Sequence, residues 1–388
     1  MTVRQEGIVE RARAFAAEEL VARHRFFDSL PEVPVPQAKA LHAAGLANWW
    51  IPVEYGGAGV DLATGVDIVS ELSYGDAGFA FASYLSILGT TMVHLYGEDD
   101  VRQRVLGEFA RGGGVCATLV SEQAAGSELA RTATTCARRG SRVVLNGSKY
   151  FSTNTDLAEF LVVVARSAQD DTGFVSVVVP RDTPGIKIVR RWDVIGMRGS
   201  ATYEVRLHNC AVPESHVLRG NGIRVLEAGL NASRILIATT SVGLARRVRD
   251  EAMAYAATKE VKGAPLTENA VFAAKLGQIE MHIDVMRNQC RSAAAEFDAI
   301  MAGADAPADF LRVGCTRSAL AAKMFCGQAG WAVATAGSEL FGGLGYTHDH
   351  VIGKLTRELR WTGLVEGGDD VIRDLLYARY VVPEARRR

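Results

Sequence analysis

One carboxylate near the C-terminal end of the sequence stands where a catalytic base could be positioned. Glu366 comes directly before Gly367 and Gly368, a turn flexible enough to aim a side chain into a cleft. An isolated carboxylate in such a place is costly to bury unless it has a chemical task or a partner. Without further context, the same three residues are typical of a charged turn before the last helix.

Two other stretches have compositions that could bring a ligand close to the backbone. Residues 121–128, SEQAAGSE, combine small side chains with hydroxyls. Residues 341–346, FGGLGY, lack the G-x-G-x-x-G spacing and follow a predicted helix rather than a strand, which argues against a Rossmann dinucleotide site. Taken alone, the first stretch indicates a polar loop and the second a helix end followed by a turn.

A histidine pair could in principle bind a metal ion. His348 and His350 flank Asp349, and alternating side chains can converge on one ion. No third ligand is obvious nearby, so a solvated polar loop is favoured and no metal is expected.

Length and composition limit the possible classes of protein. The chain has 388 residues, 48% of them hydrophobic, and a net charge of -1. This length predicts two or three domains, and nothing indicates a basic nucleic-acid surface. The six cysteines form no C-x-x-C pair, which favours a reduced cytoplasmic setting. No signal peptide is expected, and the apolar residues 235–245 are too short and too polar for a membrane span.

The elements change in character along the chain. Helical patterns cover residues 62–74 and 79–95, and long Ala-rich helices are predicted at 226–258, 269–301 and 308–340. Between these two groups, β-branched runs and turn signals predict a compact β-domain. Strands that do not alternate with helices disfavour a doubly wound sheet, so the fold class is α+β. The expected domains are an N-terminal helical domain, a middle β-domain and a C-terminal antiparallel helical bundle, at residues 1–115, 116–221 and 222–388.

Taken together, these stretches resemble the acyl-CoA dehydrogenase family over nearly the whole chain. Residues 121–128 resemble the family's TEPGAGSD segment, and residues 145–154, LNGSKYFSTN, resemble NGxKxWITN. Further matching motifs are YGGAG at 55–59, GMRGS at 196–200 with VP at 212–213, Arg234, GGLGY at 342–346, and Glu366 with Gly367. The resemblance implies a middle β-barrel or sandwich and a C-terminal four-helix bundle.

The resemblance also implies FAD as the cofactor, bound between the β-domain and the bundle. A partner subunit is expected to complete the site within a homo-oligomer, a tetramer or a dimer. The residues that the resemblance assigns to FAD are Thr118, Val120, Ser121, Ser127, Phe151, Ser152, Thr153, Lys259, Asn269, Glu339, Gly342, Gly343, Gly368 and Asp370. Those assigned to the acyl thioester are Ser127, Arg234, Glu366 and Gly367.

Several positions depart from the family pattern, mostly at the expected FAD site. Lys259 stands in place of an arginine, which keeps the charge but loses the bidentate fork. Glu339 replaces a glutamine and is expected to repel the diphosphate of FAD. The other departures are Lys262 for an aromatic residue, Gly368 for threonine, Phe151 for tryptophan, and Gln123-Ala124 for Pro-Gly. They suggest weaker FAD binding and a specialised branch rather than general fat oxidation.

The implied chemistry is α,β-dehydrogenation of an acyl thioester. Glu366 is expected to remove the weakly acidic α-proton, since a carboxylate in an apolar cleft has a raised pKa and is a competent base. The β-hydrogen then passes to flavin N5 as hydride and leaves a trans-2-enoyl thioester. Some branches carry the base just before the arginine, but that position is Ser233 here, which cannot act as a base.

Two alternatives to CoA-linked dehydrogenation stay open from the sequence. Within the enzymes, the acyl group could be presented by a carrier protein, or the chain could be a flavin monooxygenase of the same fold, which would not need Glu366. Outside the enzymes, Lys259, Glu339 and Gly368 could mark a flavin-free binding protein. The expected partners are an acyl-CoA or acyl-carrier thioester and an electron-transferring flavoprotein, with no nucleic acid and no membrane. The yellow colour of bound flavin would separate the two classes.

Overall fold

A computed structural model describes residues 3–29, 34–126, 128–169 and 173–383 of the chain. Helices come first, strands follow from Cys116, and a long helix begins at Gly222. The predicted α+β class is confirmed: a curled sheet lies between two helical regions. Among the described residues the main helices are α1 Val3–Phe15, α2 His24–Ser29, α3 Val35–Ala43, α4 Leu62–Gly75, α5 Ala77–Tyr84, α6 Ser86–Tyr96, α7 Asp99–Gly112, α8 Gly222–Ala256, α9 Ala270–Met301, α10 Ala306–Val313, α11 Arg317–Leu340, α12 Val351–Thr362 and α13 Asp369–Leu376.

In the N-terminal region, the helix predicted at residues 79–95 is two helices instead of one. Asp76 caps α5 by accepting a hydrogen bond from the amide of Phe79 at 2.8 Å, and α5 ends before Leu85. The break contains neither glycine nor proline, so composition gave no sign of it. Ala77–Tyr96 is apolar and long enough to cross a membrane by composition, but 83% of its most apolar window is buried, as in core helices.

The strands of the middle region are β1 Cys116–Leu119, β2 Thr135–Arg139, β3 Arg142–Thr153, β4 Phe160–Ser167, β5 Phe174–Pro180, β6 Ile186–Arg191 and β7 Thr202–Pro213. Within the described residues they form one seven-stranded sheet in the order β1-β4-β2-β3-β7-β6, with β5 on the other edge of β4. β4 pairs in parallel with β1 and β2, whereas the other neighbours are antiparallel. The register between β3 and β7 shifts between Lys149 and Ser152, and this bulge places Phe151 at φ 53°. Outside this sheet, a short hairpin adds β8 Glu260–Val261 and β9 Ala264–Pro265.

The C-terminal bundle is formed around α8, which packs against α9, α11 and α12. The helix predicted at residues 308–340 is divided into α10 and α11, because Gly314 adopts φ 68° and Thr316 caps α11. Asn231 of α8 fixes this break. Its amide group donates to the carbonyl of Gly314 at 2.9 Å, and its oxygen accepts from the amide of Thr316 at 2.8 Å.

Candidate active site

The turn between α12 and α13 carries Glu366 in a strained backbone conformation. Glu366 has φ 49° and Gly367 has φ 93°. The left-handed region costs a residue with a Cβ atom roughly 1–2 kcal/mol, whereas glycine enters it freely. A bulky residue held there requires neighbours that fix the backbone, and such strain is often found at functional sites.

The carboxylate of Glu366 points into a buried setting with one oxygen unpaired. Ser233 of α8 donates its hydroxyl to Oε1 at 2.5 Å. The other oxygen, Oε2, is buried and has no hydrogen-bond partner among the described residues. Burial raises the pKa of Glu366 to about 7, although the Ser233 hydrogen bond and the charges of Arg234 and Lys323 act in the opposite direction. A carboxylate with this pKa and a free oxygen can accept a proton near neutral pH.

Two buried cations hold the backbone of this turn. Arg234 donates from Nε and Nη2 to the carbonyl of Glu366 at 3.1 and 2.8 Å, while its Nη1 contacts Cys315 Sγ at 2.9 Å. Lys323 of α11 is fully buried and donates to the carbonyl of Gly367 at 2.5 Å. Burial and the charge of Arg234 lower the pKa of Lys323 to about 8. Consecutive carbonyls are thus anchored from two different helices.

An aromatic side chain of α5, Tyr84, interacts electrostatically with the carboxylate. Tyr84 of α5 is buried and shares a hydrogen bond of 2.9 Å with the hydroxyl of Thr240. Burial chiefly raises the pKa of Tyr84, and the negative charge of Glu366 adds to this effect. Phe81 packs edge-on against Trp361 with ring centroids 4.5 Å apart.

Several residues predicted to bind FAD lie on or beside the sheet. The Thr118 hydroxyl is buried without a partner among the described residues, and so is the Ser152 hydroxyl. The Thr153 hydroxyl instead shares a hydrogen bond with Thr202 at 2.9 Å. Phe151 is 58% exposed and stacks on Trp192, with ring centroids 4.7 Å apart and planes 29° apart. An exposed aromatic face and unpaired hydroxyls suit a flat heteroaromatic ring such as the isoalloxazine of FAD.

The loop that follows β1 is held by a buried ion pair that the sequence interpretation missed. Lys149 donates to Glu122 Oε1 at 2.8 Å and to the Val120 carbonyl at 2.9 Å. Glu122 also accepts from the amides of Ala133 and Thr134 at 2.7 and 3.0 Å. The backbone carbonyl of Ser121 accepts from the amide of Tyr150 at 2.8 Å. Glu122 therefore accepts hydrogen bonds that hold this loop in place. Ser127, which was predicted to bind FAD and the thioester, lies outside the described residues.

The remaining predicted FAD residues fall into two groups. Gly368 caps the N-terminus of α13, and the exposed Asp370 pairs with Arg373 at 2.5 Å, both close to Glu366 in the chain. The second group lies around the C-terminal end of α8 and consists of Lys259, Asn269, Glu339, Gly342 and Gly343. At about 1.5 Å per residue, the 23 residues from Ser233 to Ala256 at the end of α8 span about 35 Å. One chain therefore does not bring this second group to Glu366.

Within that second group, the expected repulsion from Glu339 is offset. Glu339 forms an ion pair with Lys275 of α9, so its charge is neutralised locally. Asn269 caps α9 by accepting from the amides of Val271 and Phe272 at 3.0 and 3.1 Å. Lys259 is exposed. A Cβ atom built on Gly342 or Gly343 would meet only open space, so both glycines leave room for a ligand.

The histidine pair caps and contacts helix α12. His350 accepts from the amide of Ile352 through Nδ1 at 3.2 Å, and His348 contacts Arg357 at 3.4 Å. No group of three or more His, Cys, Asp or Glu residues suitable for a metal ion occurs in the described part of the chain.

Comparisons with known proteins agree with this geometry. Sequence models of the N-terminal, middle and C-terminal domains of acyl-CoA dehydrogenase match residues 2–113, 117–210 and 220–381. The chain therefore belongs to the acyl-CoA dehydrogenase family, and it is an FAD-dependent acyl-thioester dehydrogenase by class. An acyl-CoA dehydrogenase of Bacillus subtilis is 28% identical over 98% of this chain and 99% of its own length.

Two solved structures share the fold. Butyryl-CoA dehydrogenase from Megasphaera elsdenii has a TM-score of 0.88 at 23% identity, covering 96% of this chain and 97% of its own. The prolyl acyl carrier protein oxidase AnaB has a TM-score of 0.87 at 20% identity, covering 99% of this chain and 100% of its own. Because both structures are less than 25% identical to this chain, they support its fold alone.

Proposed function

We propose that Glu366 is the general base that removes the α-proton of an acyl thioester, to give the 2-enoyl thioester. The observation that carries this proposal is the buried, unpaired Oε2 of a carboxylate whose pKa is raised to about 7. At neutral pH about half of such carboxylates are ionised and able to accept a proton. Ser233 contacts only Oε1 and so leaves Oε2 free for the substrate.

FAD, when bound, supplies the two-electron acceptor for the hydrogen that leaves the β-carbon. The residues that we assign to the ring system are Thr118, Phe151 and Ser152, on the strength of the exposed aromatic face and the unpaired hydroxyls. The backbone amide of Glu366 is assigned to the thioester carbonyl, where a donor would stabilise the developing negative charge.

The acyl group is proposed to be presented either by CoA or by the phosphopantetheine of a carrier protein. Each kind of donor appears in the name of one solved relative: CoA in butyryl-CoA dehydrogenase, and a carrier protein in the prolyl acyl carrier protein oxidase AnaB. An electron-transferring flavoprotein is the proposed electron acceptor. The six cysteines are free and buried, which supports a reducing location such as the cytoplasm.

A homo-oligomer, a tetramer or a dimer, is proposed to complete the FAD site. The support is the separation of about 35 Å along α8 between the region of Ser233 and the region of Gly342 and Gly343. If the residues near Glu366 and those near Gly342 and Gly343 both bind FAD, the two groups in one chain contact two different FAD molecules. Exposed apolar residues on the outer helices of the bundle are available for subunit contacts, among them Val271, Met281, Val285, Phe325 and Trp331.

The test of this function is stopped-flow reduction of the bound flavin under anaerobic conditions. Butanoyl-CoA, longer acyl-CoA esters and prolyl carrier-protein thioester are the substrates, and the FAD-loaded wild type is compared with Glu366→Gln. Loss of a general base slows a reaction by about 10²–10⁴-fold, so the variant should bind substrate and bleach at least about a hundredfold more slowly. Glu108→Gln, a change at an exposed carboxylate of α7, is the matched control. Near wild-type bleaching by Glu366→Gln would place the base elsewhere.

A further inference from the structure

The buried lysine behind the turn that carries Glu366 has no place in the chemistry described so far. Lys323 lies in the second turn of α11 and has no exposed surface. Its hydrogen-bond partner in the described part of the chain is the carbonyl oxygen of Gly367, at 2.5 Å. An ammonium group is costly to bury and is normally retained in a core only with strong partners. The charges of Asp369 and Glu366 favour the ammonium form, but the atom that accepts its hydrogen bond is a neutral carbonyl, and the lysine therefore fixes the position of that carbonyl.

We propose that Lys323 is a positioning residue for the base, which fixes the left-handed turn so that the carboxylate of Glu366 faces the substrate. This inference rests on the proposed role of Glu366. Arg234 holds the carbonyl of Glu366 from α8, and Lys323 holds the next carbonyl from α11. With both carbonyls fixed, the peptide between Glu366 and Gly367 cannot rotate, and the side chain keeps its direction.

The packing of α11 against the turn supports the same role. Gly327 lies one helical turn after Lys323 and therefore on the same face of α11. A Cβ atom built on Gly327 would come within 2.9 Å of the Cα atom of Gly363, so only glycine allows this close approach. The face of α11 that contains Lys323 is thus shaped to fit against the start of the turn, and the lysine anchors its far end.

The charge of Lys323 also acts on the carboxylate. The groups that act on Glu366 are Ser233 and Arg234 on α8 and Lys323 on α11, and the charge of Glu366 acts in turn on Tyr84 of α5. Asp369, at the start of α13, interacts with Lys323 as well. Because both cations favour the ionised carboxylate, the loss of Lys323 should raise the pKa of Glu366 as well as loosen the turn.

Two substitutions at Lys323 separate its effect on the position of the turn from the effect of its charge on Glu366. Lys323→Met removes both the donor and the charge, whereas Lys323→Gln keeps a donor for the Gly367 carbonyl without the charge. The measurement is the flavin-reduction rate as a function of pH, with FAD-loaded enzyme and the best thioester of the panel above. Lys39→Met, at an exposed lysine of α3, is the control.

Lys323→Met should reduce flavin at least about tenfold more slowly at its optimum, since a misplacement of about 1 Å can cost about 10²-fold. The acid limb of its pH profile should move to higher pH by about one unit. Lys323→Gln should recover part of the rate but keep the shifted limb. If Lys323→Met does not fold, the Gln variant carries the test alone. Wild-type rates and pH profiles in the variants would overturn the role of Lys323.

A second readout does not depend on turnover. The stabilising effect of Glu366→Gln at pH 8, measured by thermal unfolding of the FAD-loaded protein, should be larger in the Lys323→Gln background than in wild type. An equal effect in both backgrounds would show that Lys323 does not act on the carboxylate. If no thioester bleaches the wild type, the proposed function fails by itself, and this measurement still decides the coupling between Lys323 and Glu366.

Discussion

The hydroxyl of Ser233 should set the pH range in which the enzyme works. Ser233→Ala removes the 2.5 Å hydrogen bond to Glu366 Oε1 and leaves that oxygen without this donor. A hydrogen bond to a charged group contributes about 1.5–3 kcal/mol, and one pKa unit corresponds to about 1.4 kcal/mol. The pKa of Glu366, about 7 in the wild type, should therefore rise by about one to two units.

At pH 7 the ionised fraction of Glu366 then falls from about one half to between about 10% and 1%. Flavin reduction at saturating thioester should slow about 5- to 50-fold at pH 7 and recover toward wild type above about pH 9. The assay is single-turnover stopped-flow bleaching from pH 5.5 to about 9.5. Ser241→Ala is the matched control, since this buried serine of the same helix donates to Thr362 at 3.0 Å instead. A pH-independent loss, or an unshifted profile, would refute the reasoning.

Three further predictions concern stability and the cofactor. Glu366→Gln should stabilise the protein by up to about 3 kcal/mol above pH 7. Burial raises the pKa of the Glu366 carboxyl from 4.5 to about 7, so the stability of the wild type falls as pH rises between these two values. The variant should therefore have a higher Tm than the wild type at pH 8, and this difference should disappear near pH 4.5. Lys149→Met should lower the free energy of unfolding in urea by about 3–5 kcal/mol, because the buried charge of Glu122 loses its ion-pair partner. Adding Glu122→Gln should restore part of this loss. A loss below about 1 kcal/mol would contradict the prediction. Lys259→Arg should retain FAD better on dilution, as judged by flavin fluorescence, and equal or poorer retention would remove Lys259 from the diphosphate site.

The order of the elements could be predicted from the sequence, but two helix breaks could not. Long apolar patterns gave the helices and β-branched runs gave the strands, because periodicity is a local property. The break before α11 depends on Asn231, which lies 83 residues from Gly314 along the chain and contacts it only after folding. The break at Leu85 has no glycine or proline to mark it.

At the candidate active site, the resemblance predicted Glu366 as the base but did not predict the side chains that contact it. Ser233 was considered in the sequence only as a position that lacks a base, and in the structure it donates a hydrogen bond to Glu366. Lys323 could have been noticed as a single charge in the apolar run of residues 319–327. Its partner on the turn, 44 residues further along the chain, could not, since that contact depends on how α11 packs.

The sequence by itself determined the family, the succession of helices and strands, and the position of the carboxylate before two glycines. Only the tertiary structure decided the state of that carboxylate. Its pKa depends on burial, on the Ser233 hydroxyl and on two cations from α8 and α11, and none of these is a neighbour of Glu366 in the chain. Desolvation and Coulomb interactions depend on distance in space, so these properties arise only when separate helices are brought together around one turn.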